Sequence, residues 1–167
     1  MTTVIIDFKD KKVLADKQTT QMFYKGSSKH LNDKSFAIDT NDKIHRHDDI
    51  LLTGSGDRDE ILRLIRIYKN RGHIVEPNLP DVTIAVVRAK GDGLFIELYN
   101  SVKGKHFWNS PTWDLKLIQG DDNVITFGSG GDYAMGAIKA GVSSEEAMIA
   151  ASKCDKYTSF EYDVVRL

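Results

Sequence analysis

Thr2 is the residue whose position could do the most chemistry. Once Met1 is removed, a threonine at the chain start carries a hydroxyl and a free α-amine, a nucleophile and a base within one residue, and that pairing suits acyl transfer. A threonine at position 2 is common, so the argument needs support from the rest of the chain. Gly128-Ser129-Gly130-Gly131, between an apolar run and a helical pattern, could offer free N–H groups to a phosphate. The spacing argues against it: position 133 is Tyr where a dinucleotide fingerprint needs its third glycine, and no Lys-Ser/Thr pair follows as in a P-loop. His45, His47, Asp48 and Asp49 could ligate a metal, since a strand would put both histidines on one face. They lack a third well-spaced donor, and a solvated polar segment fits better. Lys17, Lys29, Lys34 and Lys43 are individually uninformative, and Cys154 reads as a buried packing residue.

The elements that must position these groups alternate between hairpins and helices. Thr3 to Phe8 and Val13 to Asp16 flank the polar turn Lys9-Asp10-Lys11 and predict a hairpin. From Lys17 to Asp42 the pattern weakens, with a short strand over Phe36 to Ile38. Asp49 to Gly54 predicts a strand running into Gly54-Ser55-Gly56. Asp57 and Glu60 then have capping-box-like spacing, and Ile61, Leu64, Ile65 and Tyr68 follow at helical spacing until near Gly72. Pro77 and Pro80 break the chain. Val82 to Arg88 and Leu94 to Tyr99 flank the turn Lys90-Gly91-Asp92-Gly93. Ser101 to Pro111 is loop-like, and Trp113 to Ile118 with Val124 to Phe127 predict another hairpin across Gly120-Asp121-Asp122-Asn123. A helix is expected from about Asp132 to Ala140, and a second is capped by Ser143 and Glu146, with Ala147, Ala150, Ala151 and Cys154 forming a small-residue stripe. Tyr157 to Arg166 predicts a closing strand. This order is α+β, with sheets layered between helices.

The 167 residues suit a single domain over 1–167. Hydrophobic residues at 41% and charged residues at 28% fit a globular chain, and no apolar run approaches the about 18 residues of a membrane span. A net charge of -1 gives no electrostatic case for nucleic acid. A single cysteine and the lack of a secretory pattern at the start suggest a reducing, cytoplasmic setting.

Four segments in this order resemble the proteasome β-subunit and HslV peptidase family of N-terminal nucleophile hydrolases. Thr2-Thr3-Val4-Ile5 resembles the mature start of those subunits, and Val13 to Thr20 resembles the second-strand motif that holds the catalytic aspartate. Asp42-Lys43-Ile44, followed by Asp49 to Gly56, resembles the catalytic lysine segment and the glycine-bearing strand end before the first family helix. Phe127-Gly128-Ser129-Gly130-Gly131-Asp132-Tyr133-Ala134 is similar to the Gly-Ser-Gly-Gly-x-Tyr-Ala of HslV, and Tyr157-Thr158 resembles the HslV loop whose backbone carbonyls bind sodium.

The resemblance implies a four-layer α-β-β-α sandwich, from which one long family helix is missing because Asn70 to Asp81 holds a glycine and two prolines. It implies a threonine endopeptidase that attacks a peptide carbonyl with the Thr2 hydroxyl and uses the Thr2 amine as base. Asp16 would hold Lys43 beside that amine, Ser129 would hydrogen-bond it, and the Gly56 N–H would stabilise the oxyanion. About eleven extra residues between Asp16 and Lys43 leave Lys29 as the alternative lysine. With Met1 attached the amine is an amide, and the chain is expected to be inactive. No cofactor is needed for the chemistry. A structural sodium would sit on the carbonyls of Ser152, Asp155 and Thr158. The implied partners are further copies in a ring, an ATP-dependent unfoldase and polypeptide substrates, with neither nucleic acid nor membrane. The opposing expectation is a non-catalytic, proteasome-like structural or binding subunit that keeps Met1; a third is an amidohydrolase acting on a small amide.

Overall fold

The computed structural model describes residues 2–22, 35–39, 42–104, 110–120 and 124–167, and for 19–22 and 35–39 it describes the backbone alone. In chain order the strands and helices are β1 (Thr3–Asp7), β2 (Lys12–Asp16), β3 (Gln18–Met22), β4 (Ser35–Asp39), β5 (Ile44–His47), β6 (Ile50–Ser55), α1 (Arg58–Arg71), β7 (Thr83–Lys90), β8 (Gly93–Val102), β9 (Thr112–Gly120), β10 (Val124–Gly128), α2 (Gly131–Lys139), α3 (Ser144–Cys154) and β11 (Tyr162–Arg166). One antiparallel sheet runs β10-β1-β2-β11 and a second runs β5-β6-β7-β8-β9, while β3 and β4 pair as a separate ribbon.

The continuous apolar runs of the sequence are strands covered on both faces, so that both alternating sets of side chains are buried. In β1, Val4 and Ile6 enter the core between the two sheets with Leu51, Val87 and Ile96. Ile5 points the other way and packs with Leu14, Ala134, Ala147 and Met148 beneath α2 and α3. In β7, Ala85 and Val87 face the inter-sheet core, whereas Ile84 and Val86 face the α1 side with Leu64 and Ile65. The layers are therefore α2 with α3, the first sheet, the second sheet, and α1: the four-layer α-β-β-α sandwich. Residues 72–82 join α1 to β7 without a helix, so among the described residues one helix covers the outer face of the second sheet.

Local signals set the helix ends. The Asp57 side chain accepts the Glu60 N–H at 2.9 Å, but the Glu60 carboxylate turns to Arg63 and the Asn78 N–H instead of closing a capping box. At α3 the box is complete, with Ser143 and Glu146 bonded reciprocally. The β7–β8 hairpin turns at Gly91-Asp92, with Lys90 opposite Gly93.

Four expectations need correction. β9 and β10 are not a hairpin: β9 pairs with β8 and β10 with β1, so the chain crosses between sheets after Gly120. Turn residues between two strands do not say which edge each strand joins, and the apolar edge of β1 recruits β10. Cys154 is exposed, because the buried face of α3 is Ser144, Ala147, Met148, Ala151 and Ser152, rotated from the expected stripe. The last strand spans Tyr162–Arg166 only; a turn held by the Asp155 side chain occupies the residues before it. The polar stretch after Asp16 also contains β3, which a hydrophobic pattern could not reveal. No helix among the described residues is long and apolar enough to cross a membrane.

Candidate active site

The site is built where β1 begins and β2 and β10 of the same sheet end, close to the end of β6 in the other. Thr2 immediately precedes β1 and is 5% exposed. Its carbonyl accepts the Ser129 N–H at 3.0 Å, which ties the chain start to the glycine loop after β10. Gly128 lies so close that a Cβ there would fall 1.7 Å from the Thr2 carbonyl oxygen, and its φ of +91° is one that other residues rarely adopt. The same Cβ would lie 3.4 Å from the Cβ of Ser55. Gly56 is thus one residue from the Thr2–Gly128 contact, and it is packed against the backbone of Asp81 and Val82.

Asp16 ends β2 and is fully buried. Its Oδ1 accepts the Thr3 N–H at 2.7 Å and the Lys43 ammonium at 3.1 Å. Its Oδ2 accepts the N–H groups of Gln18 at 3.0 Å and Ser159 at 3.3 Å. A buried carboxylate requires such partners, since leaving a charge unpaired costs several kcal/mol, on the order of 3–5. Lys43 also donates to the Gln18 carbonyl. It stands just before β5, so the β5–β6 hairpin delivers an ammonium from the second sheet to a carboxylate of the first. Lys29 lies outside the described residues.

A second chain of polar groups runs behind Thr3. The Gly130 N–H donates to Thr3 Oγ1 at 3.0 Å, and Thr3 Oγ1 lies 2.6 Å from Thr158 Oγ1. The Thr158 hydroxyl donates to Asp155 Oδ2 at 2.7 Å, and the Tyr157 N–H donates to Oδ1 at 3.0 Å. Burial of Asp155 opposes its charge, but the hydroxyls of Ser129 and Thr158 and the Tyr157 N–H outweigh it and hold its pKa below the usual carboxylate value. Ser129 Oγ is buried beside that carboxylate, whose charge it supports without a hydrogen bond of normal geometry. A Cβ at Gly130 would strike both threonine hydroxyls, at 2.4 and 2.6 Å, so a side chain there would split the network.

The chain thus brings Thr2, Asp16, Lys43 and Ser129 to one end of the two sheets, with Gly56 beside them. Ser152, Asp155 and Thr158 share the end of α3 and the following turn, and the Asp155 carbonyl accepts the Thr158 N–H at 3.0 Å. Sequence reasoning did not find the side-chain parts of Thr3, Asp155 and Thr158. The spacing of Asp155 and Thr158 signals a local turn, but nothing in it points to Thr3, 152 residues earlier. His45 and His47 lie on β5. Burial and nearby Lys69 lower the His45 pKa, and among the described residues no group of His, Cys, Asp and Glu could hold a metal ion.

No protein-family model matches the sequence, and no curated protein matches it. Solved structures do. The chain is similar to eukaryotic HslV from Trypanosoma brucei at a TM-score of 0.61 and 16% identity, covering 98% of this chain and 97% of that one. It is similar to Thiobacillus denitrificans BPH in complex with epoxomicin at a TM-score of 0.57 and 14% identity, covering 99% and 97%. A second structure of that BPH gives 0.56 and 15%, covering 99% and 96%. These likenesses are of fold: the chain shares the layered α-β-β-α sandwich of those structures.

Proposed function

We propose that this chain is a threonine endopeptidase subunit in which Thr2, freed by removal of Met1, is both nucleophile and base. The observation that carries the reading is the convergence of the Thr2 carbonyl on Ser129 N–H and of Thr3 N–H and Lys43 on one oxygen of Asp16. In this reading the Thr2 hydroxyl attacks a peptide carbonyl and its proton passes to the α-amine, which hands it to the departing peptide amine as the C–N bond breaks; water then hydrolyses the acyl-enzyme. An α-amine has a pKa of about 7.7–8.0, and a neighbouring ammonium disfavours a second positive charge and lowers it, so the amine is free to take a proton near neutral pH. Asp16 fixes Lys43 for this purpose. The Ser129 hydroxyl would turn from Asp155 to the amine or to a bridging water, and the Gly56 N–H would serve the oxyanion.

The likeness in fold to HslV supports assembly into a ring of identical subunits, with an ATP-dependent unfoldase supplying polypeptides. The chemistry uses no cofactor. A sodium ion on the carbonyls of Ser152, Asp155 and Thr158 would brace the turn that carries Thr158 toward Thr3. The testing experiment compares cleavage of an unfolded protein and of small amides by Met1-free protein, by Met1-bearing protein and by Thr2→Ala. Cleavage of the polypeptide by the first alone supports the reading. Cleavage of small amides only would favour an amidohydrolase.

A second reading, a non-catalytic shell subunit that keeps Met1, is favoured by the burial of Thr2 in the chain that carries Met1. It predicts that cells leave Met1 in place and that the methionine-free protein is inert.

A further inference from the structure

The outer edge of β9 is, among the described residues, paired with no strand. This nine-residue strand, Thr112–Gly120, presents free backbone N–H and C=O groups on one side. Its two faces differ. Trp113 is anchored beside α1, with its indole N–H on the Val75 carbonyl at 2.8 Å and its ring edge-on to Tyr99. Leu115 and Leu117 continue that face where, among the described residues, no second helix covers the sheet, and they are 47% and 63% exposed. On the opposite face Ile118 packs against the inter-sheet core, which puts Asp114 and Lys116 on that side of the strand.

We infer that β9 pairs antiparallel with β9 of a second copy of this chain, about a twofold axis at Leu115, joining two five-stranded sheets into one. The sequence of the strand is self-complementary in that register. Leu115 meets its own counterpart, and Trp113 of each chain lies across from Leu117 of the other, which closes an apolar row over the uncovered face. On the opposite face Asp114 of each chain lies across from Lys116 of the other, giving two cross-strand ion pairs. Directly opposed pairs of these kinds stabilise a ladder, and like charges in the same places oppose it. A twofold contact is isologous, so the same patch serves both chains. Charge complementarity selects a second copy over an unrelated strand, because each charge on the edge finds its opposite only in this register of its own sequence.

Sedimentation equilibrium of the purified full chain tests this. Asp114→Lys and Lys116→Asp each bring like charges together and are expected to halve the assembly mass of the wild type. The double exchange Asp114→Lys/Lys116→Asp restores the pairs and the mass, and an equimolar mixture of the two single variants regains it by forming mixed pairs. Circular dichroism checks that each variant is folded. Leu115→Ser/Leu117→Ser removes the exposed apolar row without touching charge and is also expected to halve the mass. Folded single variants with the wild-type mass, or a mixture that stays at the mass of its components, would overturn the inference.

Discussion

The Lys43 ammonium lies 3.1 Å from the same Asp16 oxygen that accepts the Thr3 N–H at 2.7 Å. One buried carboxylate thereby joins the chain start to a cation carried by the other sheet. If Lys43 sets the protonation of the Thr2 amine, Lys43→Met should reduce kcat about 100-fold or more with little change in KM, while Lys29→Ala leaves both unchanged. Steady-state cleavage of a fluorogenic peptide by the methionine-free proteins measures this. Equal losses in the two variants, or none in Lys43→Met, would remove Lys43 from the mechanism.

Gly128 offers a steric test of how the chain start is held. In Gly128→Ala the new methyl would overlap the Thr2 carbonyl, at a backbone angle that already disfavours a side chain. Release of Thr2 from the Ser129 N–H should cost more than about 2 kcal/mol. Urea denaturation checks the stability, and hydrogen exchange at Ser129 checks the lost bond.

Asp155 predicts a pH dependence. Its folded pKa lies below the ordinary value, so its charged form contributes stability that is fully present above the unfolded pKa of about 3.9 and is lost as the pH falls through the lower folded value. Asp155→Asn removes the acceptor of the Thr158 hydroxyl and should cost about 1–3 kcal/mol at pH 7. The gap to wild type should narrow on acidification. Thermal unfolding between pH 7 and pH 3 measures it, and a gap independent of pH would mean that the Asp155 charge is not responsible.

Leu64 is fully buried between α1 and the second sheet, with Val82 and Ile84. Leu64→Ala should destabilise the protein by about 2–5 kcal/mol, measured by the shift of the urea midpoint. Peptidase activity below that midpoint should persist, because Leu64 packs with Val82 and Ile84 on the face of the second sheet turned away from the inter-sheet core.

What could be read in the sequence follows the range of the interactions. The Asp57 and Ser143 caps, the Gly91-Asp92 turn and the helical face through Leu64 and Tyr68 depend on neighbours a few residues apart, and their patterns placed them. The apolar runs of β1 and β7 announced strands buried on both faces, which is what two sheets between helices require. The choice of β1 over β9 as the partner of β10 depends on packing between distant segments, and no turn motif encodes it. Cys154 was misplaced because small residues tolerate either side of a helix, whereas Met148 fixes the buried side of α3. The grouping around Asp16 was approached only through the resemblance of separated motifs. In the sequence Asp155 and Thr158 stand out only through the HslV-like loop, and nothing links their side chains to Thr3, because two hydroxyls and a carboxylate are groups that any surface loop could carry.

Covalent labelling of the methionine-free protein by an epoxyketone such as epoxomicin, mapped by peptide mass spectrometry, tests the central claim most directly. A single adduct on Thr2, absent from Thr2→Ala and from protein that retains Met1, is the predicted result. Folded, methionine-free protein that takes no adduct at Thr2, or Met1-bearing protein that cleaves peptides, would contradict it.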